Sequence, residues 1–322
     1  VSPETRNKRV AAVCIVLAVL AAAAIVAFMT LGARGSWSFI LPFRGAKLAA
    51  LLLVAVSIAV STVIFQTVTN NRILTPSIMG FDALYVLIQT VLVFFLGAVQ
   101  VSAADPRLLF VAEAAIMTAF AGLLYRWLFT GAVRSLHLLM LVGIVFGIFF
   151  RSISSFLQRI IDPSEFLVLQ DRLFASFNTV DSTLLGISAL IVMLAVAVVW
   201  RLLPVLDVLA LGRETAIALG VDHRRMVAVV LILVTVLVAV STALVGPVTF
   251  FGLLVANLAY LAVPSARHRV VLPVAALLAI IFLVGGQVIL ERVLAFDTAL
   301  SIVIEFVGGL VFIVLVVRGA AR

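Results

Sequence analysis

Cysteine, histidine and lysine are nearly missing from this chain, and each scarcity closes off a kind of chemistry. The one cysteine, Cys14, sits inside an apolar run with no partner, so there is no disulfide framework and no thiolate metal set. The three histidines, His137, His223 and His268, fall far apart in sequence, which argues against a histidine metal centre. Neither lysine, Lys8 or Lys47, closes a glycine-rich loop ahead of Ser or Thr, so the chain carries no phosphate cradle for hydrolysing a nucleotide. G-x-S-x-G and H-E-x-x-H are absent too. Charge is also scarce, at 11% of residues.

What fills the chain is apolar: 65% of its 322 residues are hydrophobic, with a mean hydropathy of +1.36. A soluble domain has no place to hide that much apolar surface, whereas a bilayer solvates it. The runs predict an all-α polytopic membrane protein of about ten transmembrane helices in one transmembrane domain, 1–322. They fall near Val10–Leu31, Leu48–Val68, Ile78–Val99, Leu108–Phe129, Leu136–Phe150, Leu184–Leu203, Met226–Val245, Thr249–Val263, Val270–Leu290 and Ala299–Val317. The first is long enough to be a retained span rather than a signal peptide. Gly246-Pro247 splits what otherwise reads as one overlong helix, because proline lacks the donor and clashes with the preceding turn.

The net charge is +8. On a soluble chain this excess would point to nucleic acid; on a chain of spans it points to cytoplasmic loops. With an inside N-terminus, the larger share of the basic residues falls inside, among them Arg134, Arg213, Arg224, Arg225 and Arg322. A smaller share falls outside, among them Arg34, Arg44, Lys47, Arg151 and Arg292. The bias predicts an inner-membrane protein with both termini in the cytoplasm.

Two loops differ from plain connectors. In the outer loop Arg151–Asp181, Ile153, Phe156, Leu157, Ile160 and Ile161 recur at helical spacing, and Asp162-Pro163-Ser164-Glu165 has the form of a capped helix start. Either two short helices lie at the membrane surface, or the first extends the fifth span. In the inner loop, glycines bracket Leu211-Gly212-Arg213-Glu214-Thr215-Ala216-Ile217-Ala218-Leu219-Gly220. This is either a short helix that docks in a partner's groove or a connector with a surface helix.

Asp82, Glu113 and Glu305 are the acids inside spans, and such acids are functional candidates by default. No intramembrane lysine or arginine completes a proton relay with them. Gly143 and Gly147 form a G-x-x-x-G pair, either for helix packing or for lining a wide path.

Four stretches resemble one family over nearly the full length. Gln66-Thr67-Val68-Thr69-Asn70-Asn71-Arg72-Ile73-Leu74-Thr75-Pro76-Ser77-Ile78-Met79-Gly80 is similar to a signature in which a Gln precedes R-N-P-L-x-x-P-x-x-x-G. Leu211–Gly220 matches L-G-x-x-x-A-x-x-L-G. Gly246-Pro247-Val248-Thr249-Phe250-Phe251-Gly252-Leu253-Leu254 resembles G-x-I-x-F-V-G-L, which the family continues with Pro-His and an Arg; here Ala256-Asn257 and Tyr260 stand instead. Phe306-Val307-Gly308-Gly309-Leu310-Val311-Phe312 resembles a closing G-A-P-x-F without its proline. The chain thus resembles permease subunits of the iron–siderophore and vitamin B12 ABC importers, the FecCD type, and its variant signatures resemble the catecholate or petrobactin-like siderophore branch.

The resemblance implies a type II ABC importer permease fold that translocates a ferric siderophore and is not itself an enzyme. No cofactor is implied in this chain; ATP and Mg belong to separate ATPase subunits. The ATPases would grip a coupling segment, 206–222, through Arg213, Glu214, Ala216, Ile217, Leu219 and Gly220. A siderophore-binding protein would dock outside on Arg44, Lys47 and Arg292, the first two matching the basic positions of the family's L-R-L-P-R. A second, related permease would complete the path, lined by Gln66, Asn70, Pro76, Gly80, Gly143 and Gly147. Alternatives are a vitamin B12 or haem importer of the same fold, a secondary transporter, or a membrane scaffold without transport.

Overall fold

The computed structural model describes residues 3–33, 36–130, 136–178, 180–263, 265, 267–294 and 299–320, and every regular element among them is helical. Arg34, Arg134 and Arg322, used above for sidedness, lie outside the described residues. The helices are α1 (Pro3–Thr30), α2 (Trp37–Thr69), α3 (Phe81–Leu96), α4 (Ala98–Ala103), α5 (Pro106–Thr130), α6 (Leu136–Gln158) and α7 (Pro163–Leu173). There follow α8 (Ser182–Arg201), α9 (Leu203–Leu209), α10 (Arg213–Ala218), α11 (His223–Val245), α12 (Phe251–Ala262), α13 (His268–Arg292) and α14 (Leu300–Ala320). A 3-10 turn, Pro76–Met79, precedes α3.

The expectation of ten spans is corrected. Among the described residues seven helices are long and apolar enough to cross a bilayer, within α1, α2, α5, α6, α8, α11 and α13. Phe81–Leu96, Phe251–Ala262 and Leu300–Leu310 are apolar but shorter. The sequence explains the shortness of the first two. Gly80 and Gly97 take φ of +91° and +83° at the two ends of α3, and the chain between Val245 and Phe251, with Gly246 at φ +96°, is non-helical. At 1.5 Å per residue, helices of 16 and 12 residues cover about 24 and 18 Å, short of a hydrocarbon core of about 30 Å. Both compensate by burial: α3 lies against α6, and α12 against α13 and α2. Irregular backbone at membrane depth is tolerated only where protein or a polar cavity covers it.

Helices α2 and α11 form the centre, packed on each other; in their most apolar windows 67% and 61% of residues are buried. For α1 the figure is 6%, so nearly its whole surface is left for lipid apart from a seam against α13. Between Arg151 and Asp181, α6 runs on to Gln158, and α7 starts at Pro163 with the Asp162 carboxylate accepting from the Ser164 N–H at 2.9 Å. Helix α7 does more than lie on the surface, because Leu169 is fully buried against Val93, Ala98 and Val101.

Candidate functional site

Helices α9 and α10 project from the end of the bundle where α11 and α13 begin. Gly212 and Gly220 sit on either side of α10 at φ +95° and +83°, with open space where a Cβ would stand. That left-handed backbone lets the chain turn sharply into and out of a six-residue helix. Ala216 is fully buried, while Leu211, Ile217 and Leu219 are 60%, 53% and 59% exposed. Arg213, Glu214 and Gly220 are exposed beside them. The result is a compact apolar tip with charges at its base, standing on one buried alanine.

Helices α2 and α13 pack along much of their length and are tied at both ends. At the α10 end, the Thr67 hydroxyl lies 2.6 Å from Nε2 of His268. At the far end, the Lys47 ammonium pairs with the Glu291 carboxylate and donates to the Asn178 side-chain oxygen at 2.6 Å. From His268 to Arg292, α13 spans 25 residues, about 36 Å of helix, so these ties lie on opposite sides of the membrane.

Past Thr67, at the end of α2, lies the non-helical segment 70–75 and the turn that follows it. Asn70 leaves α2 in the left-handed region at φ +49°. The Gln66 amide, buried, donates to the Arg72 carbonyl at 2.7 Å. Pro76 starts the turn, and Gly80 ends it against α6: a Cβ there would stand 3.1 Å from the Gly143 oxygen and from the Gly147 nitrogen. A Cβ on Gly143 would stand 3.0 Å from the Met79 Cα. These three glycines therefore face one another inside the chain. Beside them is a small polar cavity of about 20 Å³, room for about one water, lined by Asp82 with Ser61, Thr62, Ser77, Ser241 and Thr249. The Asp82 carboxylate shares this lining with Ser77 and Thr249, and its Oδ2 has no hydrogen-bond partner among the described residues.

A model described as the FecCD transport family matches residues 9–318. The chain belongs to the FecCD transport family. It is therefore a multi-pass membrane permease subunit of the ABC importer type, not an ATPase. It is 46% identical over 284 residues to the petrobactin import system permease protein YclO of Bacillus subtilis, covering 88% of this chain and 90% of that one. It is 36% identical over 278 residues to the petrobactin import system permease protein FatC of Bacillus anthracis, covering 86% and 78%. A structure described as an inward-facing metal-chelate type ABC transporter has the same fold, with a TM-score of 0.83 at 23% identity over 96% of this chain and 99% of that chain.

Among FecCD features, the departures at 256–260 have a structural sense. The Asn257 amide donates to the Arg72 carbonyl at 3.2 Å, and the Arg72 guanidinium lies over the Tyr260 ring at 4.5 Å. The unusual residues at 70–72 and at 257–260 therefore meet each other. The residues expected to dock an outer partner also occupy defined positions. Arg44 donates to the carbonyls of Phe28 (2.8 Å), Met29 (3.1 Å) and Leu31 (3.0 Å), and Arg292 to that of Leu31 (2.5 Å); both cap the end of α1. Lys47 is 8% exposed. Sequence reading put Lys47 in a loop, whereas α2 begins at Trp37 and carries it into the helix, so a basic residue does lie within a spanning helix. Of the acids, Glu113 is buried and accepts from the Gln89 amide at 2.6 Å, whereas Glu305 is exposed on α14. Asp207, Glu291 and Asn178 were not singled out by sequence; the first lies within the segment expected to couple, 206–222, and the others carry no local signal. Among the described residues no cluster of three or more His, Cys, Asp or Glu stands ready to hold a metal ion.

Proposed function

We propose that this chain is the cytoplasmic-membrane permease of an importer for a ferric siderophore, of the catecholate or petrobactin type, with both termini in the cytoplasm. Separate ATPases carrying ATP and Mg grip α10. The observation that carries this reading is the α10 tip: exposed Leu211, Ile217 and Leu219 on and beside a helix pinned by buried Ala216. An apolar face this small and this well held suits insertion into a groove on another protein. Arg213 and Glu214 set its register, and Ala216 and Gly220 fix its shape.

A second, related permease covers α14. Glu305 is exposed in an apolar helix, and a charged side chain faces a subunit interface or a watery path rather than lipid. The path runs along the break at 70–80, with Gln66, Asn70 and Pro76 in its wall and Gly80, Gly143 and Gly147 holding that wall in place. At the outer end a binding protein meets the Arg44 and Arg292 region, whose charges steer its approach, while Lys47 braces the rim from beneath. Iron arrives already chelated, so the permease needs no metal ligands of its own.

The test is uptake of radio-iron petrobactin into vesicles holding this chain, its partner permease, the ATPase and the binding protein. ATP-dependent uptake, not competed by vitamin B12 or haem, is expected. Full uptake without nucleotide would overturn the reading in favour of a secondary carrier; competition by vitamin B12 would reassign the cargo.

A further inference from the structure

A line of hydrogen-bonding contacts joins α9, the helix before α10, to the end of α2 where the non-helical segment begins. Asp207, on α9, accepts from the backbone N–H of His268 at 2.8 Å, and the same oxygen lies 2.7 Å from the ring Nδ1. The other ring nitrogen, Nε2, lies 2.6 Å from the Thr67 hydroxyl on α2. His268 and Thr67 are 3% and 7% exposed, so water does not compete for the bond between them, while the Asp207 carboxylate is partly open to solvent. Next to Thr67 is Gln66, whose amide holds the Arg72 carbonyl at the start of the non-helical segment.

Each link is directional. Apolar contacts between α9 and the bundle, through buried Leu206 and Leu209, tolerate sliding, whereas hydrogen bonds weaken steeply when bent. Asp207 binds the first residue of α13 twice, through backbone and ring, so a displaced α9 moves the end of α13 with it. By accepting at Nδ1, it also fixes the ring's orientation and presents Nε2 to α2.

We propose that Asp207, His268 and Thr67 are positioning residues that pass displacement of the α9–α10 lever to α13 and α2, and so to the break at 70–80. This rests on the reading of α10 as the ATPase contact. The three residues touch neither cargo nor nucleotide; their part is to keep hydrolysis and movement in step.

The experiment compares cargo imported with ATP hydrolysed in vesicles carrying the full complex, with radio-iron petrobactin as the probe. Asp207→Ala and the near-isosteric Thr67→Val are each expected to lower the import-to-hydrolysis ratio by about three- to ten-fold, the scale of one lost hydrogen bond. Hydrolysis should continue, and the unfolding midpoint should fall by no more than the loss of one hydrogen bond. Thr67→Ser, which keeps the hydroxyl, should retain the ratio. If Asp207→Ala does not accumulate, Thr67→Val reads the same line from its other end. An unchanged ratio in Thr67→Val overturns the proposal, as does a parallel fall of import and hydrolysis with a lowered midpoint, which marks a merely structural role. Wild-type vesicles with no ATP-driven uptake would instead overturn the importer reading itself.

Discussion

The Lys47 ammonium and the Glu291 carboxylate face each other across α2 and α13, 244 residues apart in sequence and both withdrawn from solvent. Their value lies in being together. Lys47→Met would take the cation from a carboxylate left with the Gln287 amide at 2.9 Å and the charge of Arg292 nearby, and should cost ~3 kcal/mol. Adding Glu291→Met should restore most of that loss, because two apolar side chains of similar size leave no charge behind. Unfolding midpoints of the two singles and the double in detergent micelles check this; a double as unstable as the sum of the singles would refute it.

The meeting of Gly80 with Gly143 and Gly147 predicts a sharp contrast among glycines. Gly143→Ala puts a methyl 3.0 Å from the Met79 backbone, and Gly80→Ala adds a left-handed strain to a 3.1 Å approach. Each should cost about 1–3 kcal/mol, with Gly80→Ala the worse. Gly186→Ala on α8 meets nothing within 4 Å and should be neutral or stabilising by a few tenths to about 1 kcal/mol, as alanine favours helix. Thermal unfolding of the three proteins separates the cases.

On the projecting tip, Ile217→Asp and Leu219→Asp should abolish ATPase binding, read by co-purification, and leave the unfolding midpoint within the scatter of surface substitutions, about 0.5 kcal/mol. Ala216→Leu should behave differently. It overfills a fully buried position, so stability and ATPase binding should fall together. Retained co-purification of Ile217→Asp would remove α10 as the contact.

Asp162 and Asp181 cap α7 and α8 from the loop between α6 and α8. The Ser164 hydroxyl and then its N–H hold the Asp162 carboxyl below the usual aspartate value; the Leu184 and then the Thr183 N–H do the same for Asp181. A group depressed on folding contributes stability above its unfolded value and loses it as pH falls through the folded one. Amide protection at the starts of α7 and α8 should therefore hold at neutral pH and decline only below about pH 4. In Asp181→Ala the α8 start should be weakly protected at every pH, while α7 keeps its response. Hydrogen exchange read between pH 3 and pH 7, roughly the range set by these groups, checks it.

How much could be read in advance differs by element. The break at Gly246-Pro247 and the Asp162–Pro163 helix start were legible because proline and a capping acid act on their own turn. The bracketed α10 segment was legible for the same reason. The start of α2 was not: Arg44 and Lys47 look like loop residues until Met29 and Leu31 carbonyls and Glu291 are seen to absorb their donors. Helix α3 was overestimated because the apolar run continues past Gly97, where only backbone geometry ends the helix. His268 was placed in a loop, although it opens α13 and joins two other helices.

The sequence by itself determined that the chain is helical and lives in a membrane. Runs this apolar dissolve only in lipid, and a backbone in lipid must close its hydrogen bonds within each segment. It also determined where the projecting tip would be, since glycine and proline act locally. Tertiary structure alone decided which glycine would face which, what Lys47 would pair with, and that Asp207 would reach Thr67 through His268. Those partners lie far apart along the chain, and a polar side chain carries no local mark of the distant group that will satisfy it once water is gone.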